Sequence, residues 1–468
     1  MTFQQLLFPF VFLPLAVLLF RVTPERFRKA VLVLLSLIFI AWGNPSDLLF
    51  VGLSAVFNYF SGLELVHLRN GNRQKQARAV LISAVAANLL MLGYFKYTGF
   101  AARSLGALLH VAFRDNTMAA PMGVSFFTFS VLSFLFDLYR GKAEKAGNPL
   151  DFLLFVIFFP KFSSGPIIQY HEMAAQMGAL RVTRGGSEAG MRTFLVGLFK
   201  KVLLADALGL VFNPISGLPA GELSLLTAWI GALSYSFMLY YDFSGYSDMA
   251  LGLGRVFGFS LPVNFRYPYR SDSVADFWRR WHASLGAWFR DYVYIPMGGS
   301  RRGDLVTIRN LLTVWLLTGL WHGANWTFVV WGLYHGVFII LEKFVLKNLL
   351  PRIPAPVRRV TVFLIVMVGW VFFFSPDLAS AFRYVGRLFA FGNLADSTAL
   401  YYLPAALPLL AVSCFGAFPL VRDKGRALRK AQPRWFFPAE VAVFTLGFLL
   451  CVAGMVSATY TSFLYAQF

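Results

Sequence analysis

The sequence predicts an all-α, polytopic membrane protein, and three observations support this prediction. Of the 468 residues, 58% are hydrophobic and 14% are charged, and the mean hydropathy is +0.63. A typical soluble domain carries about 25% charged residues, so this much apolar surface needs lipid as its solvent. Apolar stretches follow one another along the chain, and basic residues cluster between them. We therefore expect roughly 11–14 transmembrane, re-entrant and interfacial helices in one membrane domain over residues 1–468.

The apolar stretches give the order of these helices. A helix that crosses a bilayer needs about 20 residues, and several stretches are shorter, which indicates re-entrant or interfacial segments. The sequence contains no internal repeat and no low-complexity tract, so a single domain is the simplest organisation. The stretches lie at residues 5–20, 30–43, 47–66, 79–98, 119–138, 150–162, 192–215, 222–241, 243–262, 308–321, 325–346, 360–375, 399–420 and 437–457.

The net charge of +20 is concentrated beside the apolar stretches. Two stretches separate the basic clusters at 21–29 and 69–78, and two separate those at 347–359 and 422–434. Two crossings return the chain to the same side, so all four clusters fit the cytoplasmic side under the positive-inside rule. Because no basic domain stands free of the membrane, the charge does not indicate a nucleic-acid partner.

The segment 264–310 is rich in arginine and has no apolar run long enough to span a membrane. Aromatic residues and leucine recur there at three- and four-residue spacing, which predicts an amphipathic helix over about 274–294. This helix could lie in the membrane interface or pack within the protein beneath the spans. Its arginines suit phosphate or carboxylate groups, and lipid head groups are the alternative. The predicted aromatic face holds Phe277, Trp281, Leu285, Trp288, Phe289 and Tyr292, and His282, Arg279 and Arg290 fall near one other face.

One histidine, His322, lies at membrane depth beside the run Gly323-Ala324-Asn325, which we expect to open space next to the imidazole. A titratable group is costly to bury there, and an imidazole can accept and return a proton near neutral pH. Hydrogen bonding between helices as structural glue is the alternative, and the sequence context leaves both open. His335 would lie about 220° around a continuous helix from His322, so packing is the favoured role for it.

Two aspartates, Asp242 and Asp248, lie in the membrane-like stretch YYDFSGYSDMALGLG. Acidic groups at such positions pair with buried cations, lie near the surface or line a polar cavity, and the arginines of 266–290 are candidate partners. Cys414 and Cys451 lie far apart in apolar stretches, which favours buried, inert thiols. The sequence contains no P-loop, zinc-ligand spacing or nucleophile elbow.

Several of these residues fall in motifs that closely resemble the membrane-bound O-acyltransferase family. The branch resembled is that of bacterial membrane subunits of alginate O-acetyltransferase and their peptidoglycan-acetylating relatives. Gln169 departs from the pattern, because relatives often carry arginine there, and residues 345–468 match only loosely. The matching stretches, in chain order, are GYFKY, PMGVSFFTF, SSGPIIQYHEM, YYDFSGYSDMALGLG, NFRYPYRSDSVADFWRRWHASLGAWFRDYVYIPMGGSR, RNLL and GLWHGANWTFVVWGLYHG.

The resemblance implies a helical bundle around a central funnel, with a cytoplasmic opening for an acyl donor and a tunnel toward the other face. It implies that His322 is the family's hallmark histidine and that His282 is its second polar residue. No bound cofactor and no metal are expected, and acetyl-CoA is the expected donor substrate. The further candidates for binding substrate or donor are Trp321, Asn325, Arg279, Arg280, Trp278, Asp242 and Asn264.

The function expected from the resemblance is movement of an acetyl group from a cytoplasmic thioester toward an extracytoplasmic polysaccharide such as alginate or peptidoglycan. The protein would lie in the bacterial cytoplasmic (inner) membrane among its lipids, with a periplasmic or extracellular acetyltransferase as a candidate partner. His322 would act as general base, His282 would position it or share the proton transfer, and Arg279 and Arg280 would hold donor phosphates.

Two other functions remain open from the sequence. The first is a proton-coupled transporter or flippase, although the inverted repeat that would favour it is not visible. The second is a non-catalytic scaffold for a partner acetyltransferase, which predicts that His322 is dispensable while the chain itself is not.

Overall fold

A computed structural model describes residues 2–111, 120–178, 180 and 182–457. This part of the chain is mostly helical and contains no β-strand, so the predicted all-α class is confirmed. The α-helices are α1 Leu13–Val22, α2 Arg28–Gly43, α3 Ser46–Asn70, α4 Gln74–Leu109, α5 Val124–Tyr139, α6 Pro149–Ile157, α7 Phe159–Phe162, α8 Tyr170–Met177, α9 Arg184–Phe199, α10 Asp206–Ser216, α11 Leu225–Val256, α12 Val274–Arg280, α13 Ala283–Phe289, α14 Asp304–His322, α15 Trp326–Phe344, α16 Ala355–Phe374, α17 Leu378–Arg387, α18 Ser397–Gly416, α19 Leu420–Ala431 and α20 Pro433–Ser457. Short π-helical turns lie at Phe8–Phe12, Lys200–Ala205 and Arg290–Tyr294.

Among the described residues, six helices are long and apolar enough to cross a membrane, namely α3, α4, α15, α16, α18 and most of α20. Phe8–Val22 and α5 are shorter apolar segments. Large apolar side chains on the long helices stay exposed in the isolated chain, among them Leu53, Leu90 and Leu407. Such side chains are stable at a surface that lipid covers. The protein is therefore a multi-pass membrane protein, as its composition predicts.

The described residues form two compact units, one from the described part of 2–194 together with 247–262 and one from 195–246 together with 263–457. In the first unit, α5 is buried along almost its whole length and forms the centre of the core. α3 approaches it at Gly62, where a Cβ atom would lie 2.3 Å from the Phe134 ring. The single-domain organisation stays a prediction.

In the second unit, α14 and α15 form a tightly packed hairpin. A Cβ atom at Gly319 would lie 2.3 Å from the carbonyl oxygen of Phe328, and one at Gly332 would lie 2.3 Å from that of Trp315. Only glycine permits such a backbone approach without displacement, so these two residues set the distance between the helices. The hairpin carries His322 at the end of one helix and His335 within the other.

Two predicted boundaries between apolar stretches are wrong. The stretches 222–241 and 243–262 belong largely to one helix, α11, because Asp242 is buried in an ion pair and does not interrupt the helix. The stretch 150–162 is broken between α6 and α7. Pro160 has no amide hydrogen and would clash with the carbonyl four residues earlier in a continuous helix, which explains this break.

Candidate active site

A short turn after His322 joins α14 to α15, and Asn325 holds it. The Asn325 Oδ1 accepts a hydrogen bond from the Thr327 amide at 3.1 Å, and its Nδ2 donates to the Pro376 carbonyl at 2.8 Å. The side chain therefore caps α15 by satisfying an amide that the helix leaves without a partner. The candidate role of Asn325 in binding substrate or donor stays a prediction.

The expected open space beside His322 is not found at Gly323. Its backbone is extended, and a Cβ atom there would lie 2.1 Å from the Phe328 ring. The phenyl ring therefore fills the volume that the missing side chain leaves. Gly323 permits close packing of the hairpin and opens no space at its own position, and whether the run Gly323-Ala324-Asn325 opens space beside the imidazole stays a prediction.

The His322 ring is buried, with an exposed fraction of 1%, and its orientation is fixed. Its Nδ1 lies 2.8 Å from the carbonyl oxygen of Thr318, one helical turn earlier. A carbonyl oxygen can only accept, so Nδ1 carries the hydrogen and Nε2 of the neutral ring carries the lone pair. The rings of Trp321, Trp331 and Phe373 surround the imidazole with centroid distances of 4.8, 4.7 and 5.5 Å. This arrangement suits a neutral base with one defined basic nitrogen.

His282 is held in a similar way by Asn264. Its Nδ1 lies 3.3 Å from the Asn264 Oδ1, which also accepts hydrogen bonds from the Ser284 amide at 3.1 Å and the Ser284 hydroxyl at 2.7 Å. The Ser284 amide can only donate, which identifies the accepting atom as oxygen. His282 Nδ1 is therefore the donor, and Nε2 again carries the lone pair. Asn264 is thus placed to orient His282.

Trp321 lies between the two candidate histidines. Its ring centroid is 5.9 Å from that of His282 and 4.8 Å from that of His322. Burial lowers the pKa of His282 well below its ordinary value, and the positive charge that His322 acquires on protonation lowers it further. His282 is therefore favoured in its neutral, basic form. The structure brings together the two residues that the resemblance singles out.

The predicted amphipathic helix over 274–294 is not continuous. It ends at Arg280, and a new helix begins at Ala283. Between them Trp281 is extended and His282 is left-handed, with φ of 46°. For a residue other than glycine, the left-handed backbone conformation costs roughly 1–3 kcal/mol of folding free energy, and residues held in it cluster at functional sites.

Because of this break, the consecutive side chains of Trp281 and His282 both point into the protein interior. The segment before it supplies the missing backbone partners, because the Arg266 amide donates to the Arg280 carbonyl and the Ala283 amide donates to the Asn264 carbonyl, both at 3.0 Å. Trp281 and His282 are 1% and 2% exposed. The assignment of His282 to the same helical face as Arg279 and Arg290 is therefore wrong.

The aromatic face of this segment packs within the protein and not against lipid. Phe277, Trp281, Leu285, Trp288, Phe289 and Tyr292 are all buried. Glu342 on α15 fixes the beginning of α12, because its carboxylate accepts hydrogen bonds from the Val274 and Ala275 amides at 2.5 and 2.9 Å. Trp278 lies within the same aromatic core, with its ring 4.8 Å from that of Trp315.

The two arginines proposed to hold phosphates differ in their surroundings. The Arg280 Nε donates to Asp276 at 2.8 Å and the side chain is about one-third exposed. The Arg279 side chain is 74% exposed and its guanidinium is 3.8 Å from the same carboxylate. Arg279 is thus the more accessible of the two to an anionic group.

Asp242 has a cationic partner outside the predicted 266–290 range. The Lys201 ammonium lies 2.6 Å from the Asp242 carboxylate and 2.8 Å from that of Asp206. Lys201 and Asp242 are almost fully buried, and a buried charge without a partner of opposite sign is strongly destabilising, so the two charges stabilise each other. The residue after Asp242, Phe243, packs edge-on against His282 with a centroid distance of 4.7 Å. The ion pairs of Lys201 with Asp242 and Asp206 thus hold the part of α11 whose Phe243 ring packs against His282.

Sequence reasoning missed the supports of both imidazoles. Thr318 acts through its carbonyl, so its side chain gave no signal beyond its place four residues before a histidine at a helix end. Ser284 follows His282 by two residues, and on a continuous helix its side chain would point to a different face from that of His282. Phe243 was hidden among many aromatic residues.

Sequence comparison decides the family. The sequence model of the membrane-bound O-acyltransferase family matches residues 125–377, which is more than half of the chain and includes every candidate site residue. The chain belongs to this family. It is therefore an O-acyltransferase embedded in a membrane, and the resemblance seen in the motifs is confirmed.

Three similar proteins carry names of acyl-group transfer to cell-envelope or secreted polymers. A Pseudomonas putida protein named "Probable alginate O-acetylase AlgI" is 36% identical, with 100% of both chains covered. The peptidoglycan O-acetyltransferase of Helicobacter pylori is 37% identical over 81% of this chain and 78% of its own length. The teichoic acid D-alanyltransferase of Bacillus subtilis is 28% identical over 49% of this chain and 60% of its own.

Proposed function

We propose that this membrane O-acyltransferase moves an acetyl group from a cytoplasmic thioester, acetyl-CoA, toward a hydroxyl group of an extracytoplasmic polysaccharide. Its relatives named for O-acetylation of alginate and peptidoglycan support the acyl group and the class of acceptor. The four basic clusters support a cytoplasmic side for the donor. The acceptor is either the glycan itself or an extracytoplasmic acetyltransferase that passes the group on, and the membrane is the bacterial cytoplasmic membrane.

The observation that carries this proposal is the orientation of His322. With Nδ1 donating to the Thr318 carbonyl, the lone pair of Nε2 can accept the proton of an attacking hydroxyl. The hydroxyl oxygen forms a bond to the thioester carbonyl carbon, and the carbon–sulfur bond then breaks. The imidazolium returns its proton to the departing thiolate, so atoms and charge balance and the ring is neutral for the next turnover.

His282 has a positioning role in this mechanism. Its ring packs against Trp321, which also contacts His322, and its Nδ1 donates a hydrogen bond to the Asn264 side chain. A neutral His282 leaves His322 free of a neighbouring positive charge and keeps its basicity high. Arg279, which is largely exposed, is the better placed of the two arginines to contact donor phosphates.

Radiolabelled acetyl-CoA tests the proposal with purified full-length protein in lipid nanodiscs. We expect loss of the thioester in the presence of an acceptor glycan, and a loss of rate of about a thousandfold in His322→Ala. Transport of a solute without thioester loss would contradict the proposal. A normally inserted His322→Ala protein that supports full polysaccharide acetylation in cells would indicate the scaffold role instead.

Mass spectrometry of envelope glycans identifies the acceptor. A deletion strain should lack acetyl esters on one polysaccharide, and the wild-type gene should restore them. Restoration by His322→Ala to the same level would contradict the assignment of His322 as the base, whichever glycan is modified.

A further inference from the structure

The helix α19 differs from every helix of the candidate site because none of its residues is buried. It contains twelve residues, so it rises about 18 Å, which is too short to cross a bilayer. It connects α18 with α20, and both neighbours contain candidate membrane spans. A short, charged helix between two spans is held at the membrane surface.

Four of the five cationic side chains of α19 lie away from its apolar side chains around the helix axis. The fifth, Lys424, lies among the apolar side chains, but its long apolar stem lets the ammonium group reach the head groups. At 100° per residue, Leu420, Val421 and Leu428 fall within one arc of about 100°, and all three are exposed. Arg426, Arg429 and Lys430 fall on the opposite side and are exposed as well. In total the helix has five cationic side chains and one carboxylate, Asp423.

One end of α19 is fastened to the protein. The Arg422 guanidinium lies over the Tyr267 ring, which is outside the helix, with 5.1 Å between the guanidinium carbon and the ring centroid. The other end shows no such ties among the described residues: no ion pair involves Arg426, Arg429 or Lys430. The cations of the last two turns are thus available to an external anion.

We propose that α19 binds the anionic phospholipid head groups of the leaflet that borders it, with its apolar side chains inserted at the level of the acyl chains. Two observations favour lipid over another partner. The helix is tethered to that surface by a span at each end, and its cationic and apolar sides match the two layers of a lipid interface. The helix lies outside the region matched by the family model, and this role does not depend on the proposed acyl transfer.

An environment-sensitive label tests this role in the full-length protein. A bimane dye is attached to Leu428→Cys in a Cys414→Ala, Cys451→Ala background, and the protein is placed in nanodiscs of phosphatidylcholine with or without phosphatidylglycerol. We expect a blue-shifted emission with phosphatidylglycerol, reduced at high salt. Neutralising the free end with R426Q, R429Q and K430Q should abolish the dependence on phosphatidylglycerol.

A matched variant separates this effect from net charge. Arg73→Gln, Lys75→Gln and Arg78→Gln remove three exposed positive charges near the start of α4, and this variant should keep the emission shift of α19. An emission that is the same in both lipid compositions would overturn the proposal. So would a shift that requires coenzyme A or an added protein and not phosphatidylglycerol, since the anion would then come from another source.

Discussion

His322 and His335 lie on the two helices of one hairpin and both contact Trp331, yet their surroundings differ in one decisive respect. His322 donates from Nδ1 to a backbone carbonyl 2.8 Å away. His335 is fully buried, and within the described residues neither of its ring nitrogens has a hydrogen-bond partner. The ring instead packs against Trp278 and Trp331, and its Nε2 would lie 2.6 Å from a Cβ atom at Gly369.

This difference shows that burial among aromatic rings does not identify a base. A base needs one nitrogen held as a donor so that the other presents its lone pair in a fixed direction. His322 and His282 meet that requirement, through a carbonyl and an amide oxygen respectively. His335 does not, and its role as a packing residue, favoured by the sequence, fits its contacts.

The largest effect among the supports of His322 is expected at His282. His282→Asn keeps a residue type that tolerates the left-handed backbone but removes the imidazole. We expect the rate of acetyl transfer to fall about a hundredfold, because the partner ring of His322 is lost. Steady-state kinetics of the reconstituted protein measure the loss. His67→Asn, which replaces an exposed histidine of the other unit, is the control and should stay within about twofold; equal losses in the two variants would contradict the assignment.

Asn264 should have a smaller effect, and pH separates its positioning role from a structural one. Asn264→Ala removes the oxygen that accepts from His282 and should lower the rate about tenfold. Asn264→Asp keeps the oxygen but adds a negative charge, which should raise the pKa of His282 and move the acid limb of the pH–rate profile to higher pH. An unchanged profile in Asn264→Asp would leave only a structural role for this residue.

The depressed pKa of His282 predicts a pH dependence of stability. The folded-state pKa lies below the ordinary value of 6.5, so as the pH falls through this window the unfolded chain binds the proton first. The contribution of His282 to the free energy of unfolding should therefore be constant above about pH 7 and decrease below 6.5. Thermal unfolding of the detergent-solubilised protein measures this, and His282→Gln should weaken the dependence. The same slope in both proteins would show that other groups cause it.

The smallest effect is expected at His335. Replacing a buried ring that lacks hydrogen-bond partners by an apolar side chain of similar volume is close to neutral, or stabilising, because no polar group is left behind. His335→Leu should keep transfer activity within about threefold and should leave Tm unchanged or raised. A large loss of activity with normal folding would make His335 part of the chemistry.

The sequence predicted the helical class and the candidate histidines, but it could not predict how the site is assembled. The spacing of the apolar residues at 277, 281, 285, 288 and 292 is that of an unbroken helix, so nothing in the sequence indicated the turn at His282. That turn exists because Asn264 and Arg266 supply partners for the broken backbone, and they come from a distant loop. Such long-range pairing is decided by tertiary contacts.

The partner of Asp242 was unpredictable for the same reason. Arginines are frequent at 266–290, which follows this aspartate in the chain, whereas Lys201 precedes it by forty-one residues. The π-helical turn at Lys200–Ala205 lies between α9 and α10, and no periodicity of the sequence marks it. By contrast, the apolar runs at 47–66 and 360–375 correspond closely to α3 and α16, because hydrophobicity and length alone determine such spans.

The most direct test of the account is a single-turnover measurement on two matched variants, His322→Gln and His335→Gln, in nanodiscs with labelled acetyl-CoA and acceptor glycan. We predict that His322→Gln slows transfer about a thousandfold and that His335→Gln transfers at close to the wild-type rate. Both variants should insert and elute as the wild type does. Equal rates in the two variants, or a greater loss in His335→Gln, would contradict the claim that His322 is the base.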